Sequence, residues 1–354
     1  GKKTNYALII LFLIVQVVFT VYACFHYNET ASNYFTFDSL GIIMLLTATI
    51  ISVPAAFHSY IYIEESEENT PGSRATYFGA FVLLITAVCA AYLANHIAVV
   101  WIFTEITTLC ASALIYHHRN KLALEGTWKY VFICAISITF VFIGILFLSL
   151  SYASVDSDDL SYKSLLTHSA LLNTSWLRLA FLFIFTGFTA KLGLFPMFTA
   201  GIDAKDKAPG PAAALLSSIV MGMGFVGIFR FYTIIANTSL LHWANLVIAI
   251  AAFLSVFIAA VYMIKVKNIK RMMAYSSVEH MGLVMLGIAA GGVGYYAAIL
   301  HIVLHSLVKS SLFFQYNQIY NTYKNKNIYY IGIYFKYNTT GAIVLLLAFI
   351  SVTA

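Results

Sequence analysis

The sequence predicts an all-α integral membrane protein, a multi-helix bundle of about eleven transmembrane helices. Of its 354 residues, 61% are hydrophobic and 10% are charged, whereas a soluble domain has roughly 25% charged residues. Apolar runs of about 20 residues, the length that crosses a bilayer as a helix, follow one another with short polar breaks. These runs exclude a β-barrel, whose strands are about 10 residues long and alternate strictly.

Each predicted helix is an apolar run bounded by polar residues. The first run follows Lys2 and Lys3 and has no small-residue cleavage site after it, so we expect a retained helix. In chain order, the predicted helices cover about residues 6–25, 38–61, 76–95, 97–116, 125–151, 176–196, 209–234, 241–264, 272–290, 294–319, and a last one from about 341.

The loops on the two faces of this bundle differ in charge. We call the face that holds the N-terminus side A and the opposite face side B. Side B loops hold Lys163, with Arg178 and Arg230 at helix ends. Because basic residues concentrate in cytoplasmic loops, we expect side A to face the cytoplasm. The basic residues of the side A loops are Lys2, Lys3, Arg74, Arg119, Lys121, Lys205, Lys207, Lys265, Lys267, Lys270, Arg271, Lys324, Lys326 and Lys336.

The sequence lacks the motifs of soluble catalysis. It has no Gly-rich dinucleotide fingerprint, no P-loop and no Cys-x-x-Cys pair, so we expect no redox or ATP chemistry and no cofactor on this chain. Its four cysteines lie in predicted helices at no metal-like or disulfide-like spacing. The net charge of +6 follows from the loop asymmetry and does not indicate nucleic acid.

Ionisable residues inside the apolar runs are the candidates for function. A charge at the bilayer centre costs about 2.5–3.5 kcal/mol on insertion scales, and such residues commonly mark ion or proton paths. The candidate proton pathway consists of Glu105, Lys129, Lys191, His301, His305 and Lys309.

Glu105 and Lys129 each leave two interpretations open. Glu105, in the middle of a helix, either exchanges protons beside a buried base or stays protonated and hydrogen-bonds between helices. Lys129 is flanked by Trp128 and Tyr130. It either belongs to the path or extends to the membrane interface, where Trp and Tyr are enriched.

Lys191 lies five residues before Pro196. Proline lacks a backbone N–H and clashes with the carbonyl four residues earlier, so we expect the helix to kink or end near Leu192. Freed backbone groups at membrane depth require a protein-lined or hydrated cavity. Because burial favours the neutral form of a lysine, a lysine in such a cavity can exchange protons.

His301, His305 and Lys309 are spaced by four residues on one predicted helix. This spacing places them on one face, about 6 Å apart along the axis, so water has to bridge them. Histidine titrates near neutral pH, which suits a proton relay. A metal site is the alternative, but a third ligand is not near in sequence.

A polar stretch begins the ninth predicted helix. A break in the helix there would place ionisable groups at the cytoplasmic mouth of a path, whereas the alternative is an ordinary helix start with basic anchors. The candidate entry residues are Arg271, Tyr275, Ser276, Glu279 and His280.

Together and in this order, these segments resemble the proton-translocating membrane subunits of respiratory complex I, Mrp-type sodium/proton antiporters and energy-converting, formate-hydrogenlyase-type hydrogenases. The segments from Arg271 and from His301 are most similar to the hydrogenase-type members. The matching segments are 101–109, 125–130, 191–196, 271–282 and 301–314.

The resemblance implies that Glu105 pairs with Lys191 and modulates its proton affinity. It implies that His301, His305 and Lys309 continue a hydrated axis along the membrane plane. It also implies inverted five-helix repeats with broken helices, at about 76–234 and, incomplete, 241–354. Redox cofactors are then expected on partner subunits, with other membrane subunits and a soluble redox module as partners. The expected location is the cytoplasmic membrane of a bacterium or archaeon.

Three features depart from the family pattern. Residues 198–205 replace a run with two histidines and a second proline, although Asp203 and Ala204 remain. The bridging lysine of many members falls near Gly222, and 217–229 has no ionisable residue. The sequence ends at Ala354, where a helix with a further ionisable residue is expected, so we expect a piece of a subunit of about fourteen helices.

Three functions therefore remain open. The first is a proton-translocating subunit of a redox-driven complex, which is complex I-like or hydrogenase-like. The second is a cation/proton antiporter subunit, for which Glu105 and Glu279 offer carboxylates to sodium. The third is a structural membrane subunit with impaired conduction, which Gly222 and the two histidines missing after Pro196 suggest.

Overall fold

The computed structural model describes residues 2–30, 32–66, 70–153, 155 and 159–353. Each of the eleven predicted segments is helical in these ranges. In chain order the helices are α1 (Lys2–Phe25), α2 (Ser39–Glu65), α3 (Pro71–Leu93), α4 (Ile97–Ile115), α5 (Lys121–Tyr152), α6 (Tyr162–Thr167), α7 (Thr174–Leu192), α8 (Thr199–Lys207), α9 (Gly210–Ser217), α10 (Ile219–Ala236), α11 (Leu241–Lys265), α12 (Ile269–Ala290), α13 (Val293–Tyr323), α14 (Tyr334–Tyr337) and α15 (Thr339–Thr353).

The all-helical membrane class is confirmed, and the count of eleven spans is confirmed only in part. Nine helical segments of the described chain are long and apolar enough to cross a membrane, with α9 and α10 forming one of them. Helix α12 is not among the nine because its first half is polar, and α15 is a shorter apolar helix.

Two of the helical segments are interrupted, after Leu192 and at Ser218. Helix α7 ends at Leu192, followed by Gly193 in the left-handed conformation with φ 78°. The N–H groups of Gly193 and Leu194 both donate to the carbonyl of Thr189. The chain then turns through Pro196 and begins α8, so the predicted end of the helix near Leu192 is confirmed, whereas the helical α8 replaces a predicted loop.

The second interruption separates α9 from α10 at Ser218, whose backbone has φ −120° and ψ −87°. The hydroxyl of Ser218 donates to the carbonyl of Ala214. This pair of helices lies in the centre of the bundle and is buried along almost its whole length. Side chains of α9 and α10 therefore face other helices rather than lipid.

Close backbone contact fixes the pair α5 and α7. A Cβ at Gly187 would lie 2.5 Å from the carbonyl oxygen of Ser137, and one at Gly144 would lie 2.9 Å from the backbone nitrogen of Ile184. Small residues allow such approach between membrane helices. The last turn of α7, which holds Lys191, is thereby held against α5.

Short loop contacts join the helix ends on each face. On side B, Asn95 accepts a backbone hydrogen bond from Tyr162, and Phe35 bridges to Ala94. On side A, Asn268 bridges to Asn327. These contacts agree with the alternation of sides A and B that the loop charges predicted.

Candidate functional site

Lys191 occupies the last turn of α7 and is 5% exposed. Its ammonium nitrogen donates to the hydroxyl of Thr108 on α4 at 2.8 Å and to the hydroxyl of Tyr130 on α5 at 3.1 Å. It also lies 5.1 Å from the centre of the Tyr130 ring. The ammonium is thus solvated by neutral oxygens and an aromatic face, a weak environment for a buried charge.

Glu105 does not form the direct pair with Lys191 that the resemblance implies. Within the described chain, its buried Oε2 has no hydrogen-bond partner. Thr108, almost one turn further along α4, binds the ammonium of Lys191 instead. Glu105 still interacts with Lys191 through its charge. The Glu105 carboxyl group and the Lys191 ammonium therefore interact electrostatically and not by a hydrogen bond, and the ammonium binds the hydroxyl of Thr108.

Lys129 lies outside the buried site, and its position is that of the interfacial alternative. Its side chain is 51% exposed and binds Glu125 at 2.6 Å and Asp203 at 3.7 Å. Asp203 also binds Arg271 at 3.0 Å. These four residues form a surface ion network on side A. The neighbouring Tyr130 is buried and binds Lys191. The residue of this segment that contacts the site is therefore Tyr130, next to the predicted Lys129.

Lys205 is a buried lysine that the sequence placed in a side A loop. It lies on α8, is 3% exposed, and its ammonium nitrogen is 3.0 Å from the sulfur of Met221. It shares a face of α8 with Gly201 and Ile202, at spacings of four and three residues. This face of small and apolar residues could have indicated that Lys205 is buried. It can be recognised only when 199–207 is known to be helical.

The histidines of α12 and α13 form one cluster. Nδ1 of His280 is 2.9 Å from Nε2 of His301, and the rings of His280 and His305 are 5.4 Å apart. Both ring nitrogens of His305 are buried without a hydrogen-bond partner in the described part of the chain. His280 was predicted at a cytoplasmic mouth, but α12 is a continuous helix and places it in the interior.

Lys309 continues this cluster and is 1% exposed. Its ammonium nitrogen donates to the backbone carbonyl of Met273 at 3.3 Å. It interacts through its charge with Lys205, His305 and Glu279. Spacing along α13 keeps Lys309 and His305 one turn apart, as predicted, so they do not hydrogen-bond directly.

A cavity of about 510 Å³ opens beside the histidines. His280, His301 and His305 line one wall of it, and Ser351 and Val352 of α15 line another. The volume is sufficient for many water molecules, because a single water needs a cavity of about 10–15 Å³. The unpartnered nitrogens of His305 therefore adjoin space that can hold water.

Asp206 anchors the end of α8 on side A. Its carboxylate binds Lys207 at 3.0 Å and Lys326 at 3.7 Å, and the amide of Asn268 donates to it at 2.9 Å. Burial raises the pKa of Asp206, but Lys326, Lys207 and the amide outweigh it and hold the pKa below its usual value. Burial lowers the pKa of Lys326, an effect that Asp206 partly offsets. Asp206 is consequently a structural anion that fixes the position of α8.

Gly222 on α10 is closely packed. A Cβ there would lie 2.5 Å from Cε of Met44 and 2.6 Å from the hydroxyl of Tyr92. That hydroxyl donates to the carbonyl of Ile219 at 2.7 Å. The position therefore has no room for a side chain without displacement of α2 or α3 residues. The described residues also contain no group of three or more His, Cys, Asp or Glu that could hold a metal ion.

The structure thus assembles seven ionisable residues, four of them buried and three partly buried, into a row across the bundle. The row begins at Glu105 on α4 and includes side chains of α7, α8, α13 and α12, ending at His301 on α13. Its members are Glu105, Lys191, Lys205, Lys309, His305, His280 and His301. The protein is therefore a polytopic α-helical membrane protein with an intramembrane row of ionisable side chains.

Residues 94–354 match the family model described as NADH:quinone oxidoreductase/Mrp antiporter, transmembrane. The chain belongs to this family. The match covers the whole row of buried ionisable residues.

Two curated relatives and one solved structure extend this result. The chain is 30% identical over 312 residues to the hydrogenase-4 component F homolog of Methylacidiphilum infernorum (isolate V4), which covers 86% of this chain and 65% of the relative. It is 26% identical over 248 residues to NADH-quinone oxidoreductase subunit N of Desulforudis audaxviator (strain MP104C), and the match covers 70% of this chain and 48% of the relative. The chain thus spans between about half and two thirds of the length of these relatives.

A chain of the membrane-bound sulfane sulfur reductase, an archaeal respiratory membrane complex, has the same fold. The TM-score is 0.79 at 20% sequence identity, over 96% of this chain and 74% of that chain. At this identity the likeness concerns the fold alone.

Proposed function

We propose that this chain is a proton-translocating membrane subunit of a multi-subunit, redox-driven complex. The observation that supports it best is the row of buried lysines and histidines, several with unpartnered or weakly partnered polar atoms. Burying such groups is costly, and they are retained in membrane segments where ions or protons move. Histidine and desolvated lysine both gain and lose protons readily enough for a relay.

The driving reaction is proposed to occur on partner subunits. The family description names NADH:quinone oxidoreductase, and the relatives are named as a hydrogenase-4 component and an NADH-quinone oxidoreductase subunit. We therefore propose other membrane subunits and a soluble redox module with redox cofactors as partners. The sequence of this chain contains none of the dinucleotide, phosphate-binding or Cys-x-x-Cys motifs of such a module.

Side A is proposed to face the cytoplasm of a bacterium or archaeon and to hold the proton entry. The first half of α12 leads from side A to the row, and Arg271, Tyr275, Ser276 and Glu279 lie along it. Glu279 interacts through its charge with Lys309. Protons are proposed to pass along α12 to the histidine cluster, where His280 contacts His301.

The chain is proposed to form one membrane domain with two related halves, at about 76–234 and 241–354. Each half has a carboxylate on its second helix, Glu105 on α4 and Glu279 on α12. The first half contains the broken helix α7–α8 with Lys191. Internal repeats of this kind, with a broken helix at the site, are common in transporters.

Two alternatives each rest on one observation. A cation/proton antiporter subunit is favoured by the family description, which includes Mrp antiporters. A structural subunit with impaired conduction is favoured by Gly222, which offers no ionisable group on the central helix. Sodium transport needs oxygen ligands, whereas the row between Lys191 and His301 consists of lysines and histidines.

The decisive variant is Lys191→Ala in the purified complex reconstituted into proteoliposomes. We expect proton translocation to fall at least about tenfold, because a proton-carrying group is removed. Lys265→Ala, at the exposed end of α11, is the matched control and should keep normal translocation. Unchanged translocation in Lys191→Ala would contradict the proposal, and proton flux that requires sodium would favour the antiporter.

A further inference from the structure

The row has a gap on the central helix. The helix that follows α8 in the chain, formed by α9 and α10, lies at the centre of the bundle, and its residues 217–229 include no ionisable side chain. A Cβ at Gly222 would meet the side chains of Met44 and Tyr92, so an ionisable side chain there would require both residues to move. A proton that leaves Lys191 therefore needs another carrier to reach α13.

Lys205 lies beside Lys191 in this gap. Both lysines line one small cavity, together with Tyr130, Gly193 and Met221. The cavity volume is about 10 Å³, which is room for about one water molecule. A single water between the two ammonium groups is sufficient to connect them by hydrogen bonds.

Lys205 also lies within electrostatic range of the other half of the row. Its charge interacts with those of His305 and Lys309 on α13. Within the described chain its ammonium has one weak acceptor, the thioether of Met221, and no carboxylate partner. A structural lysine would be expected to bind a carboxylate, as Lys207 does on side A.

We propose that Lys205 is the proton carrier that links Lys191 to Lys309 in place of a group on the central helix. The inference rests on the proposed function. The ammonium of Lys191 transfers a proton to the intervening water, and that water transfers another of its protons to the neutral amine of Lys205. Lys205 then passes a proton towards His305 and Lys309. No electrons move, and repulsion between like charges keeps adjacent lysines from being charged together.

Three substitutions separate proton transfer from a structural role. Lys205→Met removes the group, Lys205→Arg keeps a positive charge that does not give up its proton, and Lys205→His supplies a titratable base. Lys207→Met is the matched control, because Lys207 lies in the same last turn of α8 but binds Asp206. Each variant is examined in the assembled complex in proteoliposomes for protons moved per electron pair.

We expect Lys205→Met and Lys205→Arg to lower the proton yield at least tenfold, Lys205→His to retain at least a third of it, and Lys207→Met to retain all of it. A normal yield in Lys205→Met overturns the inference. If Lys205→Arg retains as much of the proton yield as Lys205→His, the positive charge alone is sufficient, and the inference that Lys205 carries protons is overturned. If none of the three variants assembles into the complex, Lys205 has a structural role, and the inference is likewise overturned.

Measuring Lys191→Ala in parallel distinguishes the proposed function of the chain from the proposed role of Lys205. Loss of translocation in Lys191→Ala with normal translocation in Lys205→Met removes this inference and leaves the proposed function in place. Normal translocation in both variants removes both.

Discussion

At the scale of single residues, the buried lysines differ in how their charges are accommodated. Lys191 has two hydroxyl acceptors and an aromatic face, Lys309 has one backbone carbonyl, and Lys205 has one thioether sulfur. None of the three binds a carboxylate in the described chain. A protonated lysine in such surroundings carries a desolvation cost of several kcal/mol, which is a reason for the group to exchange its proton with a neighbour.

Glu105 is expected to control the charge on Lys191 through space. Glu105→Gln keeps the shape of the side chain but removes the negative charge that acts on Lys191. We expect proton translocation in proteoliposomes to fall at least about tenfold. Glu125→Gln, which changes an exposed carboxylate of the side A network, should keep normal translocation. Equal translocation in both variants would mean that the charge of Glu105 has no part in the path.

The sequence identified most members of the row but not their neighbours. Glu105, Lys191, His301, His305 and Lys309 could be found because a charge in an apolar run is conspicuous. Lys205 could not be, because 199–207 is polar by composition and its burial depends on packing of α8 against other helices, among them α5, α10 and α12. For Lys129 the sequence left the path and the interface open, and the structure places it at the exposed side A network. His280 was predicted at the mouth of the path but lies beside His301, because α12 is a continuous helix.

At the scale of helices, apolar runs predicted the elements and local chemistry predicted one of the two interruptions. Pro196 predicted the end of α7 near Leu192, and Gly193 in the left-handed conformation terminates it. The break between α9 and α10 at Ser218 has no proline or glycine at the break itself, and it arises from packing in the centre of the bundle. Breaks of this second kind depend on tertiary contacts, which a single sequence does not display.

Gly222 is expected to be essential for the packing of α10 against α2 and α3. Gly222→Ala places a methyl group 2.5 Å from Met44 and 2.6 Å from Tyr92, so side chains have to shift at a cost of about 1–3 kcal/mol. Thermal unfolding of the purified protein in detergent measures the loss. Gly79→Ala is the matched control, because a Cβ there meets no atom within 4 Å, and it should not destabilise. Equal unfolding temperatures for the two variants would show that α10 has free space at this point.

At the scale of the whole molecule, the row runs across the bundle through the last turn of α7, through α8, and through the middle of α12 and α13. The alternation of the predicted helices assigned the loops to side A or side B, and three loop contacts agree with that assignment. What the sequence could not provide is the lateral order of helices. That order follows from close contacts such as those of Gly144 and Gly187, and it decides which ionisable groups become neighbours.

The orientation of the bundle is testable with paired cysteine variants. In a Cys24→Ser background, which removes the exposed native thiol, Lys121→Cys reports side A and Lys163→Cys reports side B. We expect a membrane-impermeant maleimide to label Lys163→Cys in intact cells and Lys121→Cys only after lysis, because basic loops stay in the cytoplasm. The opposite pattern would invert the proposed direction of proton entry.

The small cavity between Lys191 and Lys205 has a consequence for ion selectivity. A space of about 10 Å³ holds one water, whereas a sodium ion keeps several oxygen ligands and therefore needs a larger, oxygen-lined chamber. A proton needs no such space, since it moves by exchange of bonds. On the proposed path from Lys191 to Lys205, a space of this size would therefore exclude sodium and let protons pass between the two halves of the row.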